Sequence, residues 1–175
     1  MFGVKLKEDT KDELELDSET LLEMARYAFL RLDGAWFMAA AKKFGIEAAT
    51  ELDISAWEMF SERLAKQIVS RMNLKGPFAE MFPILMQMQN KIMKMNSEVK
   101  IIGKNKAIQK VSDCEIWKMV SKVWTRETAP CHKVTQASIR GLLKGAFPGK
   151  EFEINHIKKI PLGDPYCEVE IIMKD

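Results

Sequence analysis

No run of apolar residues in this chain approaches the roughly 18 that a bilayer span requires, so a membrane-spanning helix is not expected. Cysteine is scarce. Cys114, Cys131 and Cys167 are odd in number and widely separated, which argues against a disulfide framework and for a reducing, cytoplasmic setting. A glycine-rich phosphate loop is also missing. "GLLKGAFPGK" lacks the strand-turn-helix context that a phosphate cradle needs, so nucleotide chemistry is not expected. Nor does one sign of charge dominate. Lys and Arg number 27 against 25 Asp and Glu, and the two are interleaved, which leaves no basic face for nucleic acid. The opening "MFGVKLKEDTKDELELD" is charged throughout and unlike a signal peptide.

What is present is an ordinary globular mixture, 47% hydrophobic and 30% charged over 175 residues. That is enough to bury a real core as one compact unit. Twelve methionines stand out, clustered between Met72 and Met95.

The hydrophobic period divides the chain. Asp17 or Ser18 is placed to cap a helix with an apolar stripe at Leu21, Ala25, Ala28, Leu32, Ala35 and Ala39, ended near Gly45. A second helix carries Trp57, Phe60, Leu64 and Ile68 and stops near Asn73. After the break "KGP", Phe78, Met81, Leu85, Met88, Ile92 and Met95 step by three and four. Pro83 marks either a preceding turn or a kink there. From Ser97 the period falls towards two. "EVKII", "GKNK" and "AIQKV" read as a hairpin. Ser112 or Asp113 then caps a helix bearing Trp117, Val120 and Trp124. "TAPCHK" interrupts, a further helix runs to about Ala146, and "EFEINHIKKI" with "YCEVEIIMK" forms a second hairpin.

The expected organisation is a charged segment over 1–17, a helical region over 18–96 and a ββααββ region over 97–175. The fold class is α+β, with helices packed on an antiparallel sheet of two hairpins. In the last hairpin, a four-residue "PLGD" loop pairs Cys167 with Lys158 and Val169 with His156. That register turns Cys167, Val169, Ile171 and His156 towards the helices.

Two segments carry a resemblance. "LDGAWFMAAAKKFGIEAATELDISAWEMF" (32–60) resembles the N-terminal signature of uncharacterised prokaryotic proteins related to the L-2-amino-thiazoline-4-carboxylic acid hydrolase-like group. "GDPYCEVEI" (163–171) resembles the closing motif of 4-vinyl-reductase-type domains. These resemblances imply a small-molecule-binding module with a mixed core, and they point to Cys167, with Cys114 and Cys131 beside it. After the middle cysteine, where hydrolase-like proteins carry an acidic residue, this chain has His132 and Lys133.

The candidate residues follow. Cys114 and Cys131 stand at helix starts, where backbone donors and the helix dipole lower a thiol's pKa. If both starts meet the sheet near Cys167, the three thiols with His132 or His156 would complete a tetrahedral, zinc-like set. Separate packing of buried thiols is the alternative. Cys131 beside His132 offers a nucleophile and a base, although neighbours on a helix point about 100° apart. Trp117 and Trp124, seven apart, read as core or as a stacking surface for a flat ligand. The methionine stripe, Met88 included, reads as an adaptable pocket wall, plain core or a dimer seam. Asp33 and Asp53 are expected to pair with Arg31, Lys42 or Arg63. Lys158 and Lys159 are solvated or available to an anion.

The function expected is small-molecule binding between sheet and helices, with the cysteines at the rim holding a metal there. The alternatives are a hydrolase of the thiazoline-carboxylate type and a structural metal-binding or dimerising protein. Neither nucleic acid nor membrane is an expected partner.

Overall fold

The computed structural model describes residues 16–121 and 130–174. Helix α1 spans Ser18–Phe44. Its N-cap is Asp17, whose Oδ1 accepts from the backbone N–H groups of Glu19 and Thr20 at 3.0 and 2.9 Å. This satisfies two donors that the helix cannot serve itself. Gly45, at φ 88°, ends α1 and starts α2, Ile46–Met72. A residue with a Cβ would be strained in that conformation. Left-handed Asn73 closes α2. Helix α3, Phe78–Ile92, runs on through Pro83.

Strands β1 (Asn96–Ile102) and β2 (Lys106–Asp113) form the first hairpin. Helices α4 (Glu115–Val120) and α5 (Cys131–Ala146) follow. The chain closes with β3 (Phe152–Lys158), a 3-10 turn over Ile160–Leu162, and β4 (Cys167–Met173). The four strands make one antiparallel sheet in the order β1-β2-β4-β3. The two hairpins meet along β2 and β4, and the fold is α+β.

Two sequence expectations need correction here. Asp113 lies in β2, so it does not cap α4; Cys114 does, its Sγ accepting from the Trp117 backbone N–H at 3.4 Å. In the closing hairpin the expected register holds from Phe152↔Met173 to His156↔Val169. It then slips, and Lys158 meets Glu168 rather than Cys167. Ile157 is the extra residue of this bulge, and Cys167 pairs across to Val111 on β2. The 3-10 turn lengthens the connection beyond the four residues assumed, which displaces the last pair.

The core joins every layer. Ala65 and Ile68 of α2, Phe78, Phe82, Leu85 and Met86 of α3, and Ile139, Leu142 and Leu143 of α5 close over Ala107, Val169 and Ile171 of the sheet. Helices α2 and α5 approach unusually closely at Gly141 and Gly145. A Cβ on Gly141 would sit 2.1 Å from the carbonyl oxygen of Glu58. Ion pairs Arg140–Glu58 and Lys144–Glu62, both at 3.1 Å, line the outside of this seam.

Helix α1 is different. It buries no residue completely. It meets α2 through Phe29, whose ring lies 6.1 Å from Trp57 and 5.3 Å from Phe60, centroid to centroid.

Candidate functional site

Between the sheet's inner face and the helices lies a cavity of about 410 Å³. Leu30 and Phe37 of α1 and Trp57 of α2 contribute to its wall, with Met86 of α3, Val111 and Val169 of the sheet, and Val134 and Ile139 of α5. All three cysteines reach it. Cys114 caps α4, Cys131 opens α5 and Cys167 opens β4, and the topology brings these three element starts to one end of the cavity.

The thiols are not activated by this placement. Burial pushes Cys114 above the ordinary thiol value against the backbone N–H of Trp117, which favours the thiolate. Burial, reinforced by neighbouring Cys114 and Cys167, pushes Cys131 up to about 12. Cys167 is raised by burial too, although its Sγ accepts from the Ile160 backbone N–H at 3.3 Å. The lowering expected from the helix starts is outweighed by desolvation. At neutral pH these are protonated thiols in an apolar wall.

His156 also lines the cavity. Both ring nitrogens are shielded from water, and neither has a hydrogen-bond partner among the described residues. Burial, then the charges of Lys159 and His132, push its pKa down to about 4, with only a partial counter-pull from backbone at His132 and Lys158. The imidazole is therefore neutral at pH 7. His132, half-buried and lowered for similar reasons, is not part of the cavity wall. Among the described residues, no group of three or more His, Cys, Asp and Glu side chains is arranged to hold a metal ion.

The remaining candidates fall as follows. Trp117 lines the cavity, and Trp124 lies outside the described residues. Met88 packs half-buried against the core, while Met86, Met93 and Met95 line the cavity with Met38 and Met119. Asp33 and Asp53 line the cavity too, and neither forms the expected ion pair with Arg31, Lys42 or Arg63. Instead both carboxyls lie by the indole of Trp57, whose single N–H favours the charged form of each. Burial raises Asp33, and burial together with the charge of Asp33 raises Asp53 to about 6. Lys158 is engaged by Tyr166, donating to its hydroxyl at 2.5 Å, and the Lys159 backbone N–H donates to Asp164 at 2.7 Å.

A buried polar chain escaped the sequence reading. Gln89 Nε2 donates to Ser138 Oγ at 2.7 Å and to Ser61 Oγ at 3.3 Å, and the two hydroxyls lie 2.8 Å apart. Beside it, Gln109 donates to Asn90 Oδ1 at 3.4 Å, and Asn90 donates to Ser97. Gln89, Asn90, Gln109 and Ser138 border the cavity. The signal was visible in "MQMQNKIM", where Gln89 lies four residues after Leu85, in line with an apolar stripe.

The model of a family of unknown function (DUF6125) matches residues 11–144. The chain belongs to that family. No curated protein matches the sequence. Three solved structures share the fold. A trafficking protein particle complex subunit 3 from Naegleria fowleri, covalently bound to palmitic acid, is 12% identical with a TM-score of 0.64, over 87% of this chain and 97% of that one. The phenol-responsive sensory domain of the transcription activator PoxR, with phenol, is 16% identical with a TM-score of 0.55, over 82% and 73%. An H-NOX domain from Shewanella oneidensis is 14% identical with a TM-score of 0.52, over 90% and 87%. At these identities the likeness is one of fold. The matches carry neither the hydrolase nor the vinyl-reductase name to this family member.

Proposed function

We propose that this protein binds a small, largely apolar molecule in the cavity between sheet and helices. The observation that carries the reading is the cavity itself. It has about 410 Å³ of space, within the usual range for small-molecule sites of roughly 300–1,000 Å³. Its lining is mostly apolar, with a few polar groups that have no charged partner among the described residues. His156 presents two nitrogens without a hydrogen-bond partner there, and Asp33 and Asp53 present half-buried carboxyls. Such groups are costly in a core and useful in a pocket, where they select a ligand with a matching polar group. The fold shared with a palmitate-bound protein and a phenol-responsive domain supports the same reading.

Catalysis by a thiol has less support, since burial raises Cys131 to about 12 and the adjacent His132 is not part of the cavity wall. This weighs against a thiazoline-carboxylate hydrolase. A metal at the rim would require Cys114, Cys131 and Cys167 to draw together with an imidazole into one tetrahedron, about 2.3 Å from sulfur to metal. Purified protein is expected to contain no stoichiometric zinc; one zinc per chain, lost in the Cys131→Ser variant, would reinstate the metal.

The binding test uses palmitate, phenol and the apolar dye 1-anilinonaphthalene-8-sulfonate, followed by fluorescence of Trp57 and Trp117 and by native mass spectrometry. Saturable one-to-one binding is expected for at least one probe. Val134→Trp, on the cavity wall, is expected to weaken that binding at least tenfold with an unchanged circular-dichroism spectrum. No binding by any probe, or equal binding by the filled variant, overturns the proposal.

A further inference from the structure

The apolar stripe of α1 faces outward. Leu21 is 58% exposed and Leu32 62%. Ala25, Ala28, Ala35 and Ala39 on the same line are exposed too, Ala35 also reaching the rim of the cavity. Trp36, at 71% exposure, lies at its edge. At 100° per residue these six stripe positions fall within about 80° of one another. The spacing 4-3-4-3-4 is that of a helix–helix seam rather than of a surface helix. The rest of α1 already has partners, with Phe29, about 80° round from Leu21, on Trp57 and Phe60, and Leu30 and Phe37, on the opposite side, on the cavity. Contiguous apolar exposure on this scale marks an interface.

We infer that the α1 stripe is the seam of a symmetric homodimer, in which α1 packs antiparallel on α1 of a second copy. The stripe is complementary to itself in that direction. A twofold axis at the helix midpoint sets Leu21 opposite the partner's Ala39, Ala25 opposite the partner's Ala35, and Ala28 opposite the partner's Leu32. Every leucine meets an alanine, so the helices interdigitate closely without a large-on-large layer. A parallel pairing would stack Leu21 on Leu21 and Leu32 on Leu32.

Charge agrees. The start of α1 is acidic, with Asp17 and Glu19, and its last turn is basic, with Lys42 and Lys43. The antiparallel pairing sets each acidic end against a basic one, and the parallel one sets like against like. At 1.5 Å per residue the stripe from Leu21 to Ala39 is about 27 Å long, the length of five helical turns. A bilayer surface fits less well, because helices lying on membranes are rich in Lys and Arg. On α1, Glu19, Glu23 and Asp33 nearly balance Arg26, Arg31, Lys42 and Lys43. This seam differs from the methionine-rich helix considered at the outset, whose Met81, Met86 and Met93 are buried in the monomer.

Light scattering and sedimentation velocity on the full chain test the assignment. A mass of twice 20.1 kDa is expected for the native protein. Leu32→Glu and Ala28→Lys, both at exposed positions, are each expected to weaken self-association at least tenfold while circular dichroism is preserved. Mixing the two variants is expected to restore a dimer, because Ala28→Lys of one copy then faces Leu32→Glu of the other. A monomer at all concentrations overturns the inference. So does a dimer that Leu32→Glu leaves intact, or a monomer that binds vesicles through α1.

Discussion

Helix α2 has two flanks, and they are built differently. On one side α5 lies so close that glycine is required at the crossing, and it buries Ala137, Ser138, Ile139, Gly141, Leu142 and Leu143. On the other side α1 leans on α2 through a few aromatic contacts and turns its most regular apolar stripe to solvent. Helix α5 is strongly amphipathic, whereas α1 carries apolar residues on several faces, so a regular stripe alone does not say which face becomes core. The α5 flank is the interior of the monomer, and the α1 flank leaves its apolar stripe exposed.

The contrast can be tested in order of effect. Leu142→Ala empties a fully buried site on α5, and urea denaturation should show a loss of about 2–5 kcal/mol. Gly141→Ala drives a methyl group into the Glu58 carbonyl. The two helices must then part, at a cost of about 1–3 kcal/mol in the same measurement. Phe29→Ala on α1 should cost about 1–2 kcal/mol, since that ring is only half-buried. Hydrogen exchange should place the loss in α1 and leave α5 protected, as expected for a locally opening element. If Phe29→Ala unfolds the whole chain as readily as Leu142→Ala, the distinction between the flanks fails.

The cavity between the flanks gives a pH signature with two opposed contributions. Asp53, raised to about 6, holds a proton in the folded state that the unfolded chain releases near pH 4. Its favourable contribution is thus full below about pH 4 and is lost as pH rises through about 6. His156, lowered to about 4, behaves in the reverse sense. The unfolded chain takes up a proton near pH 6.5, so stability falls as pH drops from there towards 4. Asp53→Asn should raise the melting temperature at pH 7.5 and leave it unchanged at pH 4, and His156→Gln should flatten the acid side. Identical pH profiles for wild type and both variants would show that these groups do not face a dry cavity.

The smallest effect expected is on the α2–α5 ion pairs. Lys144→Ala removes an exposed partner of Glu62 and should leave the urea midpoint nearly unchanged, because solvent and salt screen such a pair.

Much of the fold was legible in local sequence. The Asp17 cap, the Gly45 and Asn73 stops, the change of period near Ser97 and the closing register up to His156 depend on residues a few positions apart. Backbone sterics and side-chain spacing decide such features. The candidate site was legible in part. Cys114, Cys131, Cys167, His156 and Trp117 do meet at one cavity, but their chemistry runs against the local rule. A helix start favours a thiolate, whereas burial by residues distant in sequence favours the thiol, and burial prevails. The pairing of Asp33 with Asp53 at Trp57, and of Gln89 with Ser138, joins side chains on different helices, which no spacing along one helix reveals.

By itself, then, the sequence determined the elements, their caps, the α+β class and the inward face of the last strand, because those follow from short-range geometry. Tertiary structure alone decided which amphipathic stripe is core and which is surface, which thiols share a wall, and what charge each buried group carries. Those outcomes depend on desolvation and on packing partners that the chain brings together only when it folds.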